Sequence, residues 1–244
     1  MMKNMRLDRY LCEMSEGTRK EIKQKIKSGL VTVNGQTASD PGMHVDRADL
    51  VLLGGRPVVY EEFVYFMMNK PQGVLTATMD KKQQTVLDLI DEKTRKDLFP
   101  VGRLDKDTEG LLLICNDGQL AHALLAPARH VQKVYRADVK GIVTQKDVES
   151  FARGLEIDDQ WTARPARLTI LKTDQTAGTS QIEISIVEGR FHQIKRMFQA
   201  VGKEVISLKR ISMGPLVLDG RLEPGSFRRL TDEEIKELKK LQNG

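Results

Sequence analysis

Gly102-Arg103-Leu104-Asp105-Lys106-Asp107-Thr108-Glu109-Gly110-Leu111-Leu112-Leu113-Ile114-Cys115-Asn116-Asp117-Gly118 is the stretch on which the reading of this chain turns. The apolar run Leu111 to Ile114, closed by the turn signal Asn116-Asp117-Gly118, predicts a short buried strand. A polar loop therefore leads into a rigid element, and Gly102 and Gly110 allow sharp turns at its two ends. Asp105, beside Leu104 and two residues after Arg103, is placed to act as a nucleophile. Other readings stay open on the residues alone. Asp105, Asp107 and Glu109 alternate as solvated loop carboxylates do. Hard cations also take oxygen ligands, although EF-hand spacing is absent. Glycoside hydrolysis would need a facing carboxylate pair, which the sequence does not reveal.

The limits around this loop come from length and composition. A chain of 244 residues with 40% hydrophobic content can bury a core as one large domain or two smaller ones. A net charge of +5 is compatible with a polyanionic partner but does not identify one. The two cysteines, Cys12 and Cys115, fall in a helix-like segment and beside the buried strand, which argues against a disulfide framework. A reducing, cytoplasmic location is expected. Met1 to Leu11 lacks a signal-peptide core, and no apolar run approaches a membrane span.

Upstream of the loop, Leu7, Tyr10, Leu11 and Met14 form the stripe of an amphipathic helix. A second helix is predicted from Thr18 to Ser28, with Ile22 and Ile26 inward, a basic remainder, and Gly29 at its end. Leu30 to Val33 reads as a strand entering the hairpin signal Asn34-Gly35, and Asp49 to Leu53 as a later strand. Arg56 to Glu62 reads as a linker. Two domains are expected, 1–60 and 61–244.

The second domain begins with a strand from Phe63 to Met68 and a turn from Asn69 to Gly73, in which Lys70 is either ordinary surface or a phosphate contact. Downstream of the loop, Gln119 to Leu125 is helical until Pro127, and His130 has no evident partner. Val134 to Val139 is a strand carrying Tyr135. Thr144 with Asp147 caps a helix that ends at Gly154, and Trp161 covers a core edge. Arg167 to Leu171 and Gln181 to Val187 form a hairpin with Ile182, Ile184 and Ile186 on one face. Phe191, Ile194, Phe198 and Val201 have helical spacing. Thr231 and Glu234 cap a last helix with Ile235, Leu238 and Leu241 inward. The fold class is α+β: a small αβ domain, then a mixed, largely antiparallel sheet.

Four ordered motifs carry a resemblance: Asn69-Lys70-Pro71-Gln72-Gly73, Gly102 to Gly118, Lys133-Val134-Tyr135, and Glu188-Gly189-Arg190-Phe191-His192-Gln193-Ile194-Lys195-Arg196-Met197-Phe198. Together they resemble the RsuA branch of the pseudouridine synthases, and a chance match in this order is remote. The resemblance implies that Asp105 is the catalytic nucleophile and that Tyr135 stacks on the target uracil. It also implies that Lys195 pairs with the catalytic carboxylate where the wider superfamily has Arg, keeping the charge without the bidentate fork. Arg103 is expected to fill the stack vacated by the extruded base. The first 55 residues or so similarly resemble an S4 RNA-binding domain, on Arg6-Leu7-Asp8, Thr18-Arg19, Gly29-Leu30-Val31 and Val33-Asn34-Gly35. That resemblance implies that Arg19, Lys20, Lys23 and Lys27 meet RNA phosphates.

The implied activity is isomerisation of one uridine of small-subunit (16S) ribosomal RNA to pseudouridine, by a monomer, with no metal and no organic cofactor. Free ribosomal RNA and a small-subunit assembly intermediate are both candidate partners, and no membrane partner is expected. Attack at C6, attack at C1′ and a glycal-like route all remain open. The alternatives are a large-subunit synthase of the same family, whose members tend to carry Asn-Arg-Gln-Val-Arg in place of Phe191 to Lys195, and a non-catalytic RNA-binding assembly factor. The latter would need neither Asp105 nor Tyr135.

Overall fold

The computed structural model describes residues 4–92 and 95–243, apart from the side chain of residue 243. Its chain forms two units, the first running to Val64 and taking back Ile90–Leu98, the second holding Tyr65–Leu89 and the chain from Phe99.

In the first unit, α1 (Leu7–Glu13) and α2 (Arg19–Lys27) precede a small antiparallel sheet of Gln36–Thr37, Val31–Val33, Val51–Leu53 and Arg56–Pro57, in that spatial order. Helix α2 starts where its capping box dictates: Thr18 accepts from the Glu21 N–H, and the Glu21 carboxylate accepts from the Thr18 N–H. Ile22 and Ile26 point into a core with Leu7, Leu11 and Val31, all fully buried. Asn34 and Gly35 have φ of 52° and 81°, which lets Val33 pair with Gln36 across a tight turn.

Arg56 to Glu62, expected as a linker, belongs to this unit instead. Its first residues pair with Leu52 and Leu53, Val58 is buried, and the Tyr60 hydroxyl donates to Glu13. Pro57 is tolerated because it lies on an edge strand.

The second unit is built on a nine-stranded sheet. Its main path runs Arg167–Asp174, Thr179–Ile186, Lys133–Lys140, Glu204–Met213, Glu109–Cys115, Tyr65–Lys70, Phe227–Arg229. Every join on this path is antiparallel except that between Glu204–Met213 and Glu109–Cys115. The expected α+β class and largely antiparallel sheet are borne out. Leu111, Leu112, Leu113 and Ile114 are completely buried, as their unbroken apolar run required, because both faces of this central strand are covered.

The turn signal after this strand is used to start a helix. Asp117 caps α3 (Gly118–Leu125), accepting from the Leu120 N–H, and also accepts from the buried Tyr65 hydroxyl. Helices α4 (Gln145–Arg153), α5 (Gln193–Ala200) and α6 (Asp232–Asn243) complete the unit, with Phe151 of α4 against Phe198 of α5 and Leu238 of α6 in the core around α3. Among the described residues no helix is long and apolar enough to cross a membrane. Cys12 and Cys115 are free and buried.

Two predicted boundaries move. Asn69 and Lys70 are the last residues of the Tyr65–Lys70 strand, not a turn, and both are buried. Helix α5 begins at Gln193, so Phe191 lies outside it and is 72% exposed.

Candidate active site

The polar loop from Gly102 to Glu109 enters its strand through Gly110. At φ 101°, an added Cβ there would lie 2.2 Å from the Arg210 carbonyl oxygen, so only glycine lets the two backbones converge. The convergence is the parallel pairing of Glu109 and Gly110 with Lys209 and Arg210. It fixes where the loop ends.

The loop is also held from the side. The Thr76 hydroxyl donates to the Leu104 carbonyl at 2.8 Å and accepts from its N–H at 3.3 Å. The Gly73 N–H donates to the Lys106 carbonyl at 2.8 Å. Lys70, fully buried, spends its three N–H donors on the carbonyls of Pro71, Lys106 and Thr108 at 3.0, 3.3 and 3.0 Å. Neither sequence reading of Lys70 survives: it is neither surface nor a phosphate contact but an internal clamp on the loop. Burial pushes its ammonium down to about 8, against the opposing pull of Asp107, Asp105 and Glu109.

Asp105 is thereby presented to a cleft lined by Arg103, Asp105, Thr108, Tyr135, His192 and Lys195, with Ile186, Ile194 and Leu208 as apolar wall. Tyr135 is 7% exposed on the strand Lys133–Lys140, opposite Arg210 and Ile184 in the neighbouring strands. Arg103 is exposed, and among the described residues it makes no ion pair, which leaves it free to move. The expected Asp105, Arg103, Tyr135 and Lys195 are thus brought together.

The charge pattern differs in one respect from the expectation. Lys195 Nζ lies 3.6 Å from Asp105 Oδ2 but 2.6 and 2.8 Å from the two oxygens of Asp107. The nearer partner is Asp107, whose carboxyl is held below the usual range by the hydrogen bond from Lys195. His192 Nε2 approaches the other oxygen of Asp105, Oδ1, at 3.7 Å.

Several participants escaped sequence reasoning. His192, which helical spacing leaves among the polar positions around Phe191 and Ile194, sits at the N-terminus of α5 with φ 51° and faces Asp105. Gln193 braces the turn before it, accepting from the Arg190 N–H and donating to Glu188. Both the Arg190 and the Arg196 guanidinium groups lie over the Trp161 ring, at 5.1 and 4.7 Å from its centroid, and so tie it to the same turn. Among the described residues the buried Thr108 hydroxyl has no hydrogen-bond partner, and it lines the cleft itself. His130 does have a neighbour, the Arg164 guanidinium, away from the cleft lining.

In the first unit, Arg19, Lys20, Lys23 and Lys27 are all exposed on α2, whereas Lys25 turns inward to donate to the Glu16 carbonyl. Among the described residues the four form no ion pair, so the helix presents uncompensated positive charge.

Residues 64–200 match the RNA pseudouridylate synthase family, and residues 5–51 match the S4 domain. The uncharacterized RNA pseudouridine synthase YtzG of Bacillus subtilis is 48% identical over 233 residues, covering 95% of this chain and 97% of its own. The ribosomal large subunit pseudouridine synthase B of Bacillus subtilis is 39% identical, covering 97% and 96%. The ribosomal small subunit pseudouridine synthase A of Vibrio cholerae is also 39% identical, covering 95% and 98%. A crystal structure of a pseudouridylate synthase superposes with a TM-score of 0.67 at 33% identity, covering 96% of this chain and 99% of that one.

Proposed function

The chain belongs to the RNA pseudouridylate synthase family, and from that premise we propose that it isomerises one uridine of small-subunit ribosomal RNA, with Asp105 as its nucleophile. The first unit acts as the RNA grip and the second as the catalytic domain. The observation that carries the assignment is the single cleft in which Asp105, Tyr135, Arg103 and Lys195 meet.

Uridine and pseudouridine are isomers, so the reaction balances without a co-substrate: the N1–C1′ bond breaks, the base turns, a C5–C1′ bond forms, and the C5 proton leaves as N1 gains one. The base must first leave its stack. Arg103, exposed and unpaired beside Asp105, can take the vacated place. Tyr135 offers a π-face to the extruded uracil and a phenol near the migrating proton. The unpartnered Thr108 hydroxyl is available to a polar edge of the base. Asp105 works at the base–sugar bond, and its loop is fixed by Lys70 and Thr76 so that little is lost in positioning. The substrate is ribosomal RNA, reached in the cytoplasm, where α2 anchors it through phosphates without selecting the uridine.

Identity is equal to a large-subunit and a small-subunit enzyme, so the subunit rests on Phe191-His192-Gln193-Ile194-Lys195, the pattern expected of the small-subunit branch. Mapping pseudouridine in ribosomal RNA from cells with and without this protein tests it. Loss of one small-subunit position is expected. Loss confined to large-subunit RNA would transfer the target, and no loss would leave the ribosomal assignment without a substrate.

A further inference from the structure

Phe191 breaks the pattern of its neighbours. Predicted as the first apolar residue of a helix, it is instead 72% exposed, with its ring stacked on that of His192 at a centroid distance of 3.7 Å and an interplanar angle of 19°. His192 adopts φ 51°, a conformation few non-glycine residues take, and this reversal lays the two rings face to face. The His192 ring faces Asp105, and both rings line the wider recess beside the cleft together with Arg103, Asp105, Leu75 and Thr76.

An exposed aromatic face and a strained backbone at adjacent residues beside a catalytic carboxylate are features that packing does not explain. Their surroundings are rich in cations, with Arg103, Lys106 and Arg190 lining the same recess and Lys195 3.6 Å from Asp105. An apolar protein partner would need a contiguous patch, whereas a single ring set among cations suits one nucleobase. Extruding a uridine leaves the base next to it without a stacking neighbour on one side. We propose that Phe191 is the stacking platform for the RNA base adjacent to the extruded uridine, and that His192 is the ring that holds it in place. This inference rests on the pseudouridine synthase reading and adds a residue to substrate recognition. Because every base has a π-face, the platform contributes affinity for the opened RNA and little discrimination between bases.

The test uses the full chain and in vitro transcripts of small-subunit and large-subunit ribosomal RNA containing C5-tritiated uridine. Tritium release gives turnover, and titration with the same transcripts gives affinity. Phe191→Leu, which keeps apolar bulk but removes the ring, raises KM and Kd roughly 5- to 100-fold while the rate at saturating RNA stays within about threefold; Phe191→Tyr retains wild-type values. In Phe191→Trp, the emission of the new indole is quenched on adding RNA, with the wild-type protein supplying the Trp161 background. Unchanged KM and Kd in Phe191→Leu, or an unquenched indole, overturns the platform. Failure of the wild-type protein to release tritium from either transcript overturns the parent reading instead, and the binding arm still decides Phe191. Unchanged thermal unfolding of Phe191→Leu excludes a structural origin for the effect.

Discussion

Lys195 Nζ is 2.6 Å from Asp107 and 3.6 Å from Asp105, so one ammonium serves two carboxylates of the same loop and is hydrogen-bonded to only one. Asp107 thereby holds the lysine charge near Asp105 without letting it close on that carboxylate. A direct bond would tie up an oxygen of the proposed nucleophile.

Lys195→Met should therefore lower turnover by roughly 10- to 100-fold, since it removes the charge that stabilises both carboxylates. Asp107 reports the loss. Its folded pKa lies below the unfolded value, so the pair's stabilisation is present above the unfolded pKa and disappears as pH falls through the folded one. In the variant, the Asp107 carboxyl carbon followed by NMR should titrate at higher pH than in wild type; an unmoved titration contradicts the pairing. Asp107 is more than half exposed, so global stability should change by only a few tenths of a kcal/mol, roughly.

Lys70 gives a pH signature of the opposite kind. Its folded pKa of about 8 is depressed by burial, so above pH 8 and below its unfolded value the unfolded chain binds more protons and stability rises with pH. Urea unfolding at pH 8 and pH 10 should show wild type gaining roughly 2 kcal/mol relative to Lys70→Met over this interval. The same variant loses three hydrogen bonds to carbonyls, two of them in the Asp105 loop, and turnover should fall about 10-fold or more while RNA affinity holds. Equal pH slopes would mean that Lys70 does not titrate as a buried cation.

Gly110→Ala probes the convergence of the loop with Arg210. A methyl group 2.2 Å from a carbonyl oxygen at φ 101° cannot be absorbed by a side-chain shift, so the variant should lose roughly 3 to 5 kcal/mol in urea unfolding. A loss below about 1 kcal/mol would show that the two strands can separate freely.

On α2, replacing Arg19, Lys20, Lys23 and Lys27 with Gln should weaken RNA binding and lower the salt slope by roughly three units, at about 0.7 to 0.9 per phosphate contact. Turnover at saturating RNA should change little. An unchanged slope assigns the face to solvent.

What the sequence discloses here follows from range. Short-range signals translate directly: the Leu111 to Ile114 run became a buried strand, Thr231 with Glu234 a capping box, and Asn34-Gly35 a hairpin turn. Asp105, Arg103, Tyr135 and Lys195 were reached through motif resemblance, because nothing local says that residues on separate strands and a helix share a cleft. The failures are of two kinds. Lys70 reads as polar surface until its carbonyl partners, near and far in the chain, are seen around it. Phe191 and His192 read as helical because spacing cannot reveal that His192 takes a left-handed φ and starts α5 one residue later. A buried cation and a strained aromatic pair break local rules, and both lie beside the candidate nucleophile.

The assignment of Asp105 is tested most directly by Asp105→Asn, which keeps the side-chain shape and removes the charged oxygen. Single-turnover tritium release from C5-labelled ribosomal RNA should fall by about four orders of magnitude or more, with RNA affinity unchanged. A pure preparation of Asp105→Asn that retains even about a tenth of the wild-type rate would contradict the assignment of Asp105 as the nucleophile.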